Sequence, residues 1–256
     1  MATSDLDRVN GFVLREFPYN ESSKIIEVFT KELGKISILA RGVLRPKNKN
    51  LSATMRFVKA DYALYKTKTD FYGIREATLL ESYSKSNKNF DIIIYKSAIC
   101  DLLLRTIDHT QFETTYKLID KSFEAFENSK KNRANIFYGF LLKYISFSGF
   151  KPNLGTCAIS GRKISYEDSY FSHYYSSLVG LEMKNQVKDR IYLSKKEVLF
   201  LKKLLYTSSD DLENIETCDI DLGKIGKLIM DFCLDKLELK KFNSMEWIYK
   251  SIENRR

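Results

Sequence analysis

The spacing of apolar residues changes along this chain, and the change limits the folds open to it. Over residues 8–82 apolar and polar side chains alternate with a period near two; from about residue 89 they recur every three or four positions. A period of two places one set of side chains on one face of a strand, and a period near 3.6 draws a stripe down a helix. Strands first and helices afterwards predict an α+β chain with its β region segregated at the N-terminus.

Five strand candidates fill the first stretch: 8–17, 23–30, 34–44, 55–68 and 71–82. Turn residues at Pro18-Tyr19-Asn20 and Glu32-Leu33-Gly34 divide them, and Gly34 supplies the positive φ of a tight hairpin. Five short strands in so little chain fit a small closed barrel of the OB type. An SH3-like barrel or an open meander fits the strand count almost as well.

The helical stretch begins with Ile94, Ala98, Leu102 and Arg105 at helical spacing, with Asn89 or Asp91 as cap. Tyr116, Ile119, Phe123 and Phe126 form the next stripe, and Gly149 stops a third helix before Lys151-Pro152. Ser194 and Glu197 have capping-box spacing, and Asn243 caps a last helix. These aromatic stripes read as helix-packing core. Between 150 and 190 the helical period stops, and a small knuckle of short hairpins is expected there. The predicted organisation is a barrel domain over 1–82, a helical domain over 83–149 and 191–256, and the knuckle over 150–190.

Charge is distributed unevenly. Of a net +9, residues 35–69 supply +8: Lys35, Arg41, Arg45, Lys47, Lys49, Arg56, Lys59, Lys66 and Lys68 stand against Asp61 alone. Residues 37–57 carry five of these cations and no acid. Phe57, Tyr62, Tyr65, Phe71 and Tyr72 are interleaved with them, Phe57 being assigned to the core. Cations that follow a phosphate backbone, with aromatics that stack on bases, make up a single-strand-binding groove. The plainer reading is a solvated strand face with a flexible loop.

Other classes lose ground on composition and motifs. At 44% hydrophobic residues the chain can fold. It has no run of 18 apolar residues, so no membrane partner is expected, and its polar N-terminus is unlike a signal peptide. Four scattered cysteines (Cys100, Cys157, Cys218, Cys233) fit a reducing cytoplasm. No GxxxxGK[ST], GxGxxG or GxSxG occurs; Gly223-Lys224-Ile225-Gly226-Lys227 reads as helix packing. His109 and His173 have no metal-ligand spacing to another His or Cys. The expectation is a non-enzyme without cofactor or metal. Besides a DNA-binding protein, an RNA-binding OB protein and a pure assembly scaffold remain open.

Three sets of residues carry a resemblance. At the N-terminus stand Gly11-Phe12-Val13-Leu14, Glu21-Ser22-Ser23-Lys24, Phe29-Thr30-Lys31-Glu32-Leu33-Gly34-Lys35 and Ala40-Arg41-Gly42. Gly149-Phe150-Lys151-Pro152-Asn153-Leu154 precedes Cys157, and Leu237-Glu238-Leu239-Lys240-Lys241-Phe242-Asn243-Ser244 follows. In this order, over nearly the whole chain, they resemble the bacterial RecO family of recombination mediators. The resemblance implies an N-terminal OB domain, a helical domain and often a zinc module. It implies binding of single- and double-stranded DNA, and annealing of complementary strands without ATP. Its implied partners are RecR, single-strand binding protein through its C-terminal tail and, indirectly, RecA, in a cytoplasmic, nucleoid-associated setting.

The family's two CxxC pairs are not kept: Ser160 stands three residues after Cys157, and no cysteine occurs around Gly180-Leu181-Glu182-Met183. Even with His173 the ligands are too few for tetrahedral zinc. The knuckle is therefore expected to be held by packing of Tyr166, Tyr170, Phe171, Tyr174 and Tyr175. On the barrel, Lys35, Arg41, Arg45, Lys47, Lys49 and Arg56 are the first choices for phosphate contacts on a mobile, Lys-rich connection. Lys59, Lys66 and Lys68 are second choices.

Overall fold

A computed structural model describes residues 7–106 and 112–253; His109 lies outside them. The chain divides into two compact units, Met1–Lys117 and Leu118–Arg256.

The first unit is built on a closed five-stranded barrel. Its strands are β1 (Asp7–Tyr19), β2 (Ser23–Thr30), β3 (Gly34–Ala40), β4 (Lys59–Lys66) and β5 (Tyr72–Glu81), in the order β1-β2-β3-β5-β4 with β4 returning to β1. Every pairing is antiparallel except β3 with β5, where Ile38 faces Tyr72 and Leu39 faces Gly73. That parallel closure excludes an open meander and gives the OB-like path. The interior is filled by one parity of each strand: Val9 and Val13, Ile26 and Val28, Ile36 and Ile38, then Ala60, Tyr62 and Leu64. Tyr62 is the aromatic of this interior; its hydroxyl donates to the Ala53 carbonyl at 2.6 Å, and burial pushes its phenol far above the usual range.

The opposite parity of β1 and β2 is covered as well. Phe12, Leu14 and Phe29 point outward yet are fully buried. Helix α1 (Phe90–Thr106) and the first turn of α2 (Phe112–Asn128) lie against this side. Phe12 packs on Tyr116, Phe29 meets Phe112 edge-on, and the Tyr116 hydroxyl bonds Asn10. Gly34, at φ +67°, lies under the Phe112 ring, where a Cβ would come within 2.4 Å. Asn89 caps α1 by accepting from the Ile92 amide at 3.1 Å.

The second unit is helical around a small sheet. Helix α3 (Arg133–Ile145) is its buried axis, followed by a π turn (Ser146–Phe150) that Gly149 breaks at φ +94°. A four-stranded sheet follows, of β6 (Asn153–Cys157), β7 (Ser169–Ser172), β8 (Ser177–Gly180) and β9 (Arg190–Leu193), in the order β6-β8-β7-β9. Helices α4 (Lys195–Tyr206), α5 (Leu222–Lys236) and α6 (Asn243–Glu253) complete it. The Ser194–Glu197 capping box forms as expected. Gly226 of α5 packs under the Tyr138 ring of α3, which is the helix packing its position in the sequence pattern suggests.

The packing expected for residues 150–190 is corrected. Of the five aromatics assigned to it, Phe171 is buried, but Tyr166, Tyr174 and Tyr175 are 54%, 78% and 42% exposed. The region is a sheet whose other buried hydrophobic side chains are mainly aliphatic: Leu154, Ile164, Leu178, Val179, Val187 and Leu193. Cys157 is buried in it, its Sγ accepting from the amides of Gly180 at 3.4 Å and Ser160 at 3.5 Å. Burial pushes this thiol up, but the amides outweigh it and hold it below the usual thiol range.

Candidate nucleic-acid interface

The barrel side that α1 leaves open is formed by the C-terminal half of β3 with β5 and the far end of β4. The parallel register Ile38–Tyr72 and Leu39–Gly73 carries Arg41, just past β3, to about the level of Arg75 on β5. The β4–β5 hairpin lies at the other end of the same seam.

The connection after β3 is not an open loop. The Gly42 amide donates to Ser23 Oγ at 3.0 Å and the Leu44 amide to the Ser22 carbonyl at 2.9 Å, while Val43 is buried. Asn48 Nδ2 donates to the Gly42 carbonyl, and Asn48 Oδ1 accepts from the Asn50 amide. Asn50 Oδ1 in turn accepts from the Ala77 amide on β5 at 3.2 Å. A short 3-10 turn at Ser52–Thr54 then buries Ala53 and Thr54. Small polar side chains thus pin the backbone while Arg41, Arg45, Lys47 and Lys49 stay exposed. Lys47 takes a left-handed φ of 63°.

The nine cations separate into two groups. Lys35 donates to the Leu104 carbonyl at 2.9 Å, closing the last turn of α1. Arg56 donates through Nε to the Leu14 carbonyl at 3.1 Å, approaches Asp101 at 3.6 Å and covers the Phe57 ring. Lys59 is half-buried over the rings of Phe12 and Tyr116. These three are engaged in holding α1 and α2 to the barrel. Arg41, Arg45, Lys47, Lys49, Lys66 and Lys68 are exposed, and among the described residues none of them has a carboxylate within ion-pair distance.

Lys66 and Lys68 flank a hairpin tip fixed by Thr67, whose hydroxyl donates to the Phe71 carbonyl at 2.6 Å. The tip borders a shallow recess of about 200 Å³ lined by Lys66, Thr67, Thr69, Asp70, Phe71 and Tyr72.

One residue of this face, Arg75, was not singled out from the sequence. Tyr65 lies across Gly73, and Arg75 stands with its guanidinium carbon 6.0 Å from the Tyr65 ring centre. The signal was the glycine in a strand, which marks a close approach from a neighbour. Of the interleaved aromatics, Tyr62 is inside the barrel and Phe57 is buried beneath Arg56 and Lys96. Tyr65, Phe71 and Tyr72 are half-exposed, and Tyr72 packs against the barrel interior. The open side therefore combines unpaired cations at both ends with aromatic rings between, an arrangement able to follow a phosphate backbone and stack bases.

Comparison with known proteins divides the chain just after β5. Residues 4–83 match the family model of the recombination protein O N-terminal domain, and residues 87–246 match that of its C-terminal domain. The chain is 27% identical over 244 residues to a DNA repair protein RecO of Caldanaerobacter subterraneus subsp. tengcongensis, covering 95% of this chain and 97% of that protein. It is 25% identical over 242 residues to the one from a Thermoanaerobacter species, covering 94% and 96%. To the one from Clostridium novyi it is 24% identical over 240 residues, covering 93% and 92%.

Proposed function

We propose, from the premise that this chain belongs to the recombination protein O family of DNA repair proteins, that it binds single- and double-stranded DNA and anneals complementary strands without ATP. With RecR it helps load RecA onto DNA coated by single-strand binding protein, and it works in the cytoplasm at the nucleoid without catalysing a reaction. The observation that carries the DNA-binding part is the set of six exposed, unpaired cations (Arg41, Arg45, Lys47, Lys49, Lys66, Lys68) on the barrel side left open by α1. RecR, RecA and single-strand binding protein come from family membership alone.

Annealing brings two polyanions together. Cations that offset phosphate repulsion release condensed counterions, and the base sequence is read by pairing rather than by protein. Tyr65 and Phe71 stack on exposed bases, while Tyr72 packs against the barrel interior and Lys35, Arg56 and Lys59 keep the face in shape. No step requires a nucleophile or a general base, since strand pairing makes and breaks no covalent bond.

The test is ATP-free annealing of two complementary oligonucleotides, with a non-complementary control, at two salt concentrations. The expected result is acceleration over the spontaneous rate that weakens with salt. No acceleration overturns the annealing role. Faster annealing of RNA than of DNA shifts the substrate to RNA.

A further inference from the structure

We propose that Asn48 and Asn50 are positioning residues of the barrel interface: they hold the cations of the β3–β4 connection in a fixed array before a nucleic-acid strand arrives. The inference rests on the reading that this face meets a phosphate backbone, and adds what keeps its cations in place.

Residues 47–50 read Lys-Asn-Lys-Asn, and the fold gives this alternation two faces. Lys47 and Lys49 are exposed, whereas Asn48 and Asn50 are half-buried. Asn48 closes the bend on itself. Its Nδ2 donates to the Gly42 carbonyl at 3.0 Å, its amide donates to the Arg45 carbonyl at 3.2 Å, and its Oδ1 accepts from the Asn50 amide at 2.9 Å. Arg45 lies within this bend. Its amide donates to the Gly42 carbonyl at 3.1 Å, and its side chain crosses Gly42, where a Cβ would stand 3.5 Å from Arg45 Nε. Asn50 fastens the bend to the barrel. Its Oδ1 accepts from the Ala77 amide at 3.2 Å, on a part of β5 that pairs with β4 alone because the β3–β5 register ends at Gly73.

The chemistry of the site selects asparagine. Its amide offers a donor and an acceptor without charge. Aspartate would set a carboxylate between Lys47 and Lys49, and neither lysine nor alanine can accept from a backbone amide. Arg41 adjoins Gly42, whose amide is held by Ser23 Oγ, so each of the four connection cations sits beside a fixed point. Cations on a loose loop lose backbone freedom when they meet a strand, and a bend already fixed spares that cost. The array therefore acts on affinity, whereas the number of counterions released follows the number of cations.

The experiment uses the full chain with fluorescent oligothymidylate, measured by anisotropy over a series of salt concentrations below the onset of unfolding. Asn50→Ala is expected to weaken binding about 5-fold, the cost of ordering about one residue of backbone, with the native salt slope because every cation remains. Asn48→Ala, which opens the bend at its other end, is expected to show the same pattern. In a chain whose Arg41, Arg45, Lys47 and Lys49 are already Ala, adding Asn50→Ala is expected to cost nothing further, the mark of a residue that acts through them. An equal loss in that background overturns the proposal in favour of a general structural role. Native affinity in Asn50→Ala also overturns it. So does a slope flattened as far as in the quadruple Ala variant, since contacts would then be lost rather than loosened. If the quadruple variant itself binds like the native chain, the phosphate reading of this face fails and the positioning role falls with it.

Discussion

The Tyr65 ring lies across Gly73, so close that a Cβ at Gly73 would sit 2.2 Å from Tyr65 Cζ. A strand glycine on the open side of the barrel thus sets where the Tyr65 ring rests. Gly73→Ala is expected to lift the ring off β5 and carry Arg75 with it. Overpacking of this kind costs about 1–3 kcal/mol, read as a lower thermal midpoint. Strand affinity, measured at a temperature below the onset of unfolding, is expected to fall with it. A variant with native stability and native affinity would show that the ring has room elsewhere.

The two groups of cations predict opposite signatures. Replacing Arg41, Arg45, Lys47 and Lys49 by Ala is expected to leave the thermal midpoint nearly unchanged. It is expected to lower single-strand affinity and flatten its salt dependence by about 0.7 log units of slope for each phosphate no longer neutralised. Arg56→Ala removes a donor from the Leu14 carbonyl and a cation from Asp101. Its main effect is a stability loss of about 1–3 kcal/mol. Titrations across salt, beside thermal melts, separate the two. A salt slope unchanged in the quadruple variant refutes the phosphate assignment.

Lys24 is a buried cation in the barrel wall, 4% exposed, held by Glu16, whose other oxygen accepts from the Arg56 amide at 3.0 Å. Glu16→Ala leaves that charge without its partner, which costs about 3–5 kcal/mol when a pair is fully buried; partial exposure of Glu16 places it at the low end. Lys24→Met removes the buried charge itself and is expected to cost less. Denaturant unfolding of both variants gives the order, and the reverse order contradicts the role assigned to Glu16.

His173 predicts a pH dependence. Burial beside Phe171 and Phe232 holds its imidazole below the ordinary value, although Asp235, Asp231 and Asp189 pull it the other way. The unfolded chain takes up a proton near pH 6.5, whereas the folded one resists until lower pH. Stability is therefore lost as pH falls below about 6.5 and through the lowered folded value. His173→Phe is expected to lack this component, so its thermal midpoint gains on the native chain between about pH 7.5 and 5.5. A constant difference across that range would assign no such role to His173.

Strands and helix order were legible because each depends on local periodicity; closure of the barrel, a non-local pairing of β3 with β5, was one of several paths the strand count allowed. The five expected strands fall within a few residues of β1 to β5, and the β3–β4 charge excess stands where it was read. The outward side of β1 was not legible. In Gly11-Phe12-Val13-Leu14 both parities are apolar, since one fills the barrel and the other lies under α1. Alternation cannot reveal a strand covered twice.

The candidate site was legible as charge and not as geometry. Nothing in the sequence separates Arg56 from Arg45, yet one is tied to Leu14 and the other stands free of any carboxylate among the described residues. Distinguishing them requires knowing what crosses the barrel wall 42 residues away. The tyrosines of the small sheet failed for a related reason: composition supplies rings, but aliphatic neighbours filled the core first and left Tyr166, Tyr174 and Tyr175 outside.

The barrel closes through β3 and β5 with only two parallel register pairs, Ile38–Tyr72 and Leu39–Gly73. Hairpins such as β1–β2 and β4–β5 can zip locally, whereas this joint waits for loop closure over more than thirty residues. Its amides are accordingly the ones to exchange with solvent soonest among the barrel's ladders, through openings smaller than global unfolding. The last join made and the first to loosen is then the line along which the unpaired cations and open rings are arrayed, so the barrel can yield there without dismantling the hairpins on either side.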